Sequence, residues 1–131
     1  MSERLQEELE LLKAAYPDLE HRSANGIDWV RLPSYPVPGQ AFRQDSVEAV
    51  FQIPPQTGEA PYGFWLRPGL TLLSGNPVQN YTYPESTPWG GDFGKLSWAP
   101  AEPWIPKAEI RAGSNMLNWA RSLADRLAEG I

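Results

Sequence analysis

The stretch Val47 to Arg67, VEAVFQIPPQTGEAPYGFWLR, constrains the fold more than any other part of the chain. Val47, Ala49, Phe51 and Ile53 alternate with Glu48 and Gln52, the period of two expected of a strand with one buried face. Val50 breaks the alternation. Pro54 and Pro55 cannot donate to a β-ladder and so end that strand. The turn-rich QTGEAP that follows leads into Tyr62, Phe64, Trp65 and Leu66, a second, aromatic strand stopped by Pro68 and Gly69. Two strands joined by a proline-rich connection are expected to set the core on which the rest of the chain packs.

Ahead of this pair, Leu5, Leu9, Leu12 and Tyr16 recur at helical spacing, while Glu3, Gln6, Glu7, Glu10 and Lys13 cover the other side. The spacing predicts an amphipathic helix from Ser2 to about Tyr16, ended by Pro17 and Asp18. Its acidic side is either a solvated face or a docking surface for a basic partner. Asn25 and Gly26 form a turn signal, and Ile27 to Leu32 reads as a strand. Pro33 to Asp45 is proline-rich and extended, with room for a short strand at Ala41 to Arg43.

From Pro68 to Pro106 no period is visible, and glycines and prolines recur throughout, so this reads as a long loop. Tyr81, Tyr83, Trp89, Phe93, Trp98 and Trp104 can anchor it as an ordered flap, since each buries on the order of 150–250 Å² when enclosed. Trp98 and Trp104 are expected against the sheet and the closing helix, with Trp89 and Phe93 nearer the surface beside the glycines. Lys95 to Trp98 can add a short strand. The chain then closes with a helix capped by Ser114 or Asn115, carrying Met116, Ala120, Leu123 and Leu127 on one face and ended by Gly130. The expectation is a single α+β domain over residues 1–131: an N-terminal helix, a small antiparallel meander, a long proline- and tryptophan-rich flap and a C-terminal helix.

Composition narrows the function. The net charge of −5 argues against a phosphate-backbone binder, which rests on clustered Lys and Arg, so no nucleic acid partner is expected. No apolar run reaches membrane-spanning length and the start is acidic where a secretory signal needs a positive region, so no membrane partner is expected and a cytoplasmic location is the default. With 14 prolines and six tryptophans the loops should be ordered by aromatic packing. The lone His21 and the scattered carboxylates form no metal-ligand set, and no metal or cofactor is expected. The serines at 46, 74, 86, 97 and 114 lack a nucleophile-elbow setting, and a triad could recruit only His21. Gly90, Gly91 and Gly94 lack the strand and the lysine-serine pair of a phosphate loop. One enzymatic or sugar-binding alternative stays open, in which Asp92 works with Glu85 or Glu102 in an aromatic setting.

The order of elements and several short motifs resemble a known superfamily. LLKAAYPDLE is similar to the opening of RWD domains, where a leucine-bearing helix ends in tyrosine-proline-aspartate. The proline-bounded PPQTGEAPYGF with Leu66 stands where the ubiquitin-conjugating-enzyme superfamily carries its tyrosine-proline motif and the following strand, although tyrosine-proline itself is missing there. WIPKAEI, with Trp104 and Pro106, resembles the tryptophan-proline that precedes the helix after the active site in that superfamily. Ser97, Trp98 and Trp104 ahead of a terminal helix are similar to prokaryotic family E of ubiquitin-conjugating-like proteins, which are encoded in bacterial operons with ubiquitin-like modifiers and activating-enzyme relatives.

The resemblance implies a ubiquitin-conjugating-like or RWD-like fold and a partner that is a ubiquitin-like protein or another conjugation-pathway protein. It also exposes a departure. Active members carry a cysteine in the flap after a histidine-proline-asparagine, whereas here only Asn76 and Pro77 echo that segment and the chain has no cysteine. Thioester formation needs a thiolate, because an unactivated hydroxyl is a far poorer nucleophile. The expected role is therefore a non-catalytic binding or scaffold subunit, a pseudoenzyme, with candidate partner-binding residues Trp89, Phe93, Tyr81 and Tyr83 on the flap and Glu3, Glu7 and Glu10 on the first helix. Incubated with a ubiquitin-like protein, its activating enzyme and ATP, the chain should give no thiol-sensitive adduct on a non-reducing gel.

Overall fold

A computed structural model describes residues 3–55 and 59–130. The expected helix start at Ser2 and the Gln56, Thr57 and Gly58 part of the proline-bounded turn lie outside the described residues. Helix α1 spans Glu3–Ala15 and ends where Tyr16 donates its amide to Leu12 just ahead of Pro17. Six strands follow: β1 Glu20–Ala24, β2 Ile27–Pro36, β3 Ser46–Ile53, β4 Phe64–Arg67, β5 Tyr81–Thr87 and β6 Gly90–Leu96. Helix α2, Met116–Glu129, closes the chain after a short 3-10 turn. The Asn115 side chain accepts the Asn118 amide at its start, and Gly130 ends it in the left-handed region at φ 79°. Among the described residues no helix is long and apolar enough to cross a membrane.

All strands join one antiparallel sheet in the order β1-β2-β3-β4-β6-β5. The expected neighbours β2, β3 and β4 form a meander, and both helices pack on it. Four points differ from expectation. Strand β1 was not foreseen because EHRSA has no apolar alternation; it is an edge strand, joined to β2 by Asn25 and Gly26 at φ 53° and 78°, the left-handed pair of a tight hairpin. Strand β2 runs on past Leu32 to Pro36, because a register shift between Leu32 and Tyr35 leaves Pro33 out of the pairing and lets it resume at Tyr35 opposite Val47. The long flap is largely sheet: β5 and β6 form a hairpin whose inner strand pairs with β4. Neither YTYPEST of β5, polar and interrupted by Pro84, nor the glycine-rich GGDFGKL of β6 shows a clear period of two. The expected strand at Ala41 to Arg43 is one bridge, Phe42 opposite Leu72.

The central strands bury both faces. Val47, Ala49, Phe51, Ile53, Phe64 and Leu66 face the helices, together with Leu12 of α1 and Trp119 and Leu123 of α2. Val50 points the other way, into a smaller cluster with Trp29, Trp65 and Phe93, which is why it interrupts the alternation.

Tyr81 depends on a missing side chain. A Cβ on Gly94 would lie 1.7 Å from its hydroxyl, the same hydroxyl that accepts the Leu70 amide at 2.8 Å. Gly91, in the same strand, has only Ser86 Oγ at 3.8 Å, an ordinary contact. Gly94→Ala should therefore destabilise the chain by on the order of 1–3 kcal/mol in chemical denaturation, while Gly91→Ala leaves the midpoint nearly unchanged.

Candidate functional site

Among the described residues no helix residue joins the small cluster on the second face of the sheet, yet Trp29 and Trp65 there are only 9% and 6% exposed. Their rings meet at 4.9 Å. The cover comes from the tip of the β5–β6 hairpin. Trp89, at that tip, packs on the cluster, and the Arg22 guanidinium of β1 lies 5.0 Å from its ring centre while donating to the Pro88 carbonyl at 2.6 Å. Since β1 and β5 are opposite edges of the sheet, the hairpin tip reaches across this face to the far edge.

A row of charges crosses the same face. Arg31 donates to Glu20 and, through Nε, to Glu48 at 2.8 Å; Arg67 engages both Glu48 oxygens at 2.8 Å in a fork. Arg67 also donates to the carbonyls of Trp89 and Gly91 and sits 4.3 Å over the Phe93 ring, binding β4 to the hairpin tip. Burial alone would raise the Glu48 pKa, but its hydrogen bonds and charge interactions with Arg67 and Arg31 outweigh that and hold it below the usual carboxylate value.

His21 sits in a three-residue group at the β1–β2 edge. Its Nε2 lies 2.9 Å from Asp28 Oδ1, and Ser23 donates to the same oxygen at 2.6 Å. The hydroxyl is thus given to the carboxylate and not to the imidazole, so the wiring differs from that of an activated serine, where the base receives the hydroxyl proton. Burial opposes ionisation of Asp28, and hydrogen bonds from Ser23 and His21 reverse the balance and lower its pKa. Among the described residues no group of three or more His, Cys, Asp or Glu could hold a metal ion.

The other candidates fall in different places. Phe93, expected near the surface, is fully buried beneath Arg67. Trp89 is half-buried as the cover just described, and Tyr81 is half-buried with its hydroxyl engaged by Leu70. Tyr83 is 55% exposed. Glu3, Glu7 and Glu10 are exposed along α1, while the neighbouring Glu8 is buried, accepting the Met116 amide at 3.2 Å. Trp98 and Trp104, expected to be buried, are half-buried at the edge of α2. Of the carboxylates considered with Asp92, Glu85 lies on β5, the strand paired with the β6 that carries the exposed Asp92, whereas Glu102 lines a groove beside α2 to which Asp92 does not contribute. Sequence reasoning missed Arg22, Arg31 and Arg67, because their value lies in pairing across strands whose register no local pattern reports.

These features define an α+β domain with two helices on one sheet face and an aromatic, arginine-braced hairpin over the other. Comparison of the chain with family models, curated proteins and solved structures finds no match.

Glu48 gives this face a pH signature. A depressed folded pKa contributes stability above the unfolded value, ordinarily 4.5, and that contribution is lost as pH falls through the folded one. Glu48→Gln should lower unfolding free energy at neutral pH by about 1–3 kcal/mol, and the gap to the unaltered chain should shrink as urea titrations move below pH 4.5.

Proposed function

We propose that this chain is a non-catalytic binding or scaffold domain of the ubiquitin-conjugating-like, RWD-like type, serving a bacterial ubiquitin-like modification pathway in the cytoplasm. The observation that carries the reading is the order of elements. A helix ended by Tyr16, Pro17 and Asp18 leads into the antiparallel neighbours β2, β3 and β4, and Trp98, Trp104 and Pro106 lead into a closing helix on the same face as the first. Without cysteine the chain has no thiolate to carry a modifier, so its contribution to such a pathway is to hold another component in place.

The surface assigned to this role is the exposed acidic side of α1. Glu3, Glu7 and Glu10 recur at three- and four-residue spacing and so share one side of the helix, in a chain of net charge −5. Such a side attracts a basic partner and speeds its encounter, an effect that weakens with salt. Tyr83, exposed on the edge strand, is a second contact candidate.

The test pairs the chain with a bacterial ubiquitin-like protein and with an activating-enzyme relative. Calorimetry should show a reversible complex with one of them and mass spectrometry no covalent adduct. Reversing charge at Glu3, Glu7 and Glu10 to Lys should weaken that complex at least about tenfold without moving the melting temperature. Absence of any complex with either protein would overturn the reading.

A further inference from the structure

The β5–β6 hairpin has two unlike halves. Near its base, β6 is held between two strands: Leu96, Lys95 and Gly94 pair with β4, and Leu96 and Lys95 also pair with Tyr81 and Thr82 of β5. Past Gly94, β4 supplies no further partner among the described residues, and the ladder to β5 continues only as Glu85 opposite Phe93 and Thr87 opposite Gly90, with a register shift before each. A two-stranded ribbon with an interrupted ladder is marginal by itself, so side chains must hold the tip against the sheet.

Those holds are few. Arg22 Nη1 donates to the Pro88 carbonyl at 2.6 Å in an exposed position, Arg67 Nη1 donates to the Trp89 and Gly91 carbonyls at 3.2 Å each, and the Trp89 ring lies on the cluster of Trp29 and Trp65. The closed tip also leaves a donor unserved. Trp89 Nε1 is buried without an acceptor among the described residues, and water would accept from it once the tip lifted. Asp92, at φ 65°, turns the chain between the tip and Phe93, which stays buried beneath Arg67.

The contacts of the tip also describe what replaces it. Lifting residues 86–91 uncovers the Trp29 and Trp65 rings and frees the Arg22 and Arg67 donors from three backbone carbonyls. An occupant that restores these contacts needs an aromatic ring flanked by carbonyls, which is the chemistry of a peptide. We propose that residues 86–91 form an autoinhibitory latch, which lifts about Asp92 and the register shift after Glu85, and that the face beneath binds a partner's extended segment through a tryptophan side chain on Trp29 and Trp65 and backbone carbonyls on Arg22 and Arg67. The latch is independent of the pathway assignment and lies on the opposite side of the sheet from α1.

The first measurement uses the unaltered, isotope-labelled chain. Trp119 Nε1 is a second buried indole donor without an acceptor, but its ring is stacked on Phe64 in the main core, so it serves as the internal standard. Hydrogen exchange of the Trp89 indole N–H should be nearly independent of urea at low concentration, while that of Trp119 rises with urea as global unfolding does. The second measurement titrates end-blocked Ser-Thr-Pro-Trp-Gly-Gly, the sequence of the tip, into Trp89→Gly, whose site is vacated. The Trp29 and Trp65 indole resonances should shift saturably; the same peptide with alanine for tryptophan should bind at least about tenfold more weakly, and so should the tryptophan peptide to the unaltered chain, where the latch competes. Adding Arg22→Gln to Trp89→Gly should weaken the peptide by about 3- to 10-fold. If Trp89→Gly fails to fold, excess peptide added to the unaltered chain should speed Trp89 exchange and leave Trp119 exchange unchanged or slower. A shared urea dependence for the two indoles would overturn the proposal, as would equal binding of the tryptophan and alanine peptides, or free indole binding as tightly as the peptide.

Discussion

The stacking of Trp119 on Phe64, at 4.8 Å and 17° between planes, is the contact on which the arrangement of the molecule depends. Phe64 is the first residue of a four-residue strand, and Trp119 lies in the first turn of α2. Their contact therefore fixes where α2 begins over the sheet. Once it is placed, two other elements are drawn into register with it. Glu8 of α1 reaches the Met116 amide at the start of α2, and the Tyr35 hydroxyl enters the helix between the Ala120 carbonyl, to which it donates at 2.6 Å, and the Ala124 amide, from which it accepts at 3.0 Å. A side chain inserted in the helical ladder ties β2 to α2 by two hydrogen bonds in addition to their packing.

The two sheet faces solve the same burial problem by different means. One is covered by helices, whose leucines supply a broad apolar cover. The other is narrower, and the arginines carry out much of the covering: Arg22 lies on Trp89 and Arg67 on Phe93 while their donors hold carbonyls of the hairpin tip. A guanidinium suits this position because its flat, weakly hydrated plane covers a ring while its edge still donates hydrogen bonds. Lys95 plays a similar part over Trp65 at 4.7 Å.

Two carboxylates show how position alone sets opposite behaviour. Glu48, between two guanidinium groups, is favoured as the anion. Glu8 is different: burial raises its pKa more than the Met116 amide and Arg4 lower it. A raised folded pKa means that the contribution of Glu8 is greatest at low pH and declines as pH rises from the ordinary 4.5 through the folded value. The two residues therefore tilt the acid side of the stability profile in opposite directions.

Local chemistry determined much of this molecule. The helix of Leu5, Leu9 and Leu12, the Asn25-Gly26 turn, the alternation of Val47 to Ile53, and the Asn115 and Gly130 ends of α2 each follow from spacing or from a residue's own conformational preference, and these are readable within a few positions. What depended on the tertiary structure is everything whose partner is distant in the chain. Strands β1, β5 and β6 are strands because a neighbour supplies the ladder, while their own residues show no usable period. The burial of Phe93, the half-exposure of Trp98 and Trp104, and the pairing of Glu48 with two arginines depend on which strand lies alongside, as does the meeting of Trp119 and Arg126 in one groove. An aromatic or an arginine carries the same propensity in a core, at an edge or over a ring, and only the assembled sheet, through its register and the reach of its hairpin, selects among them.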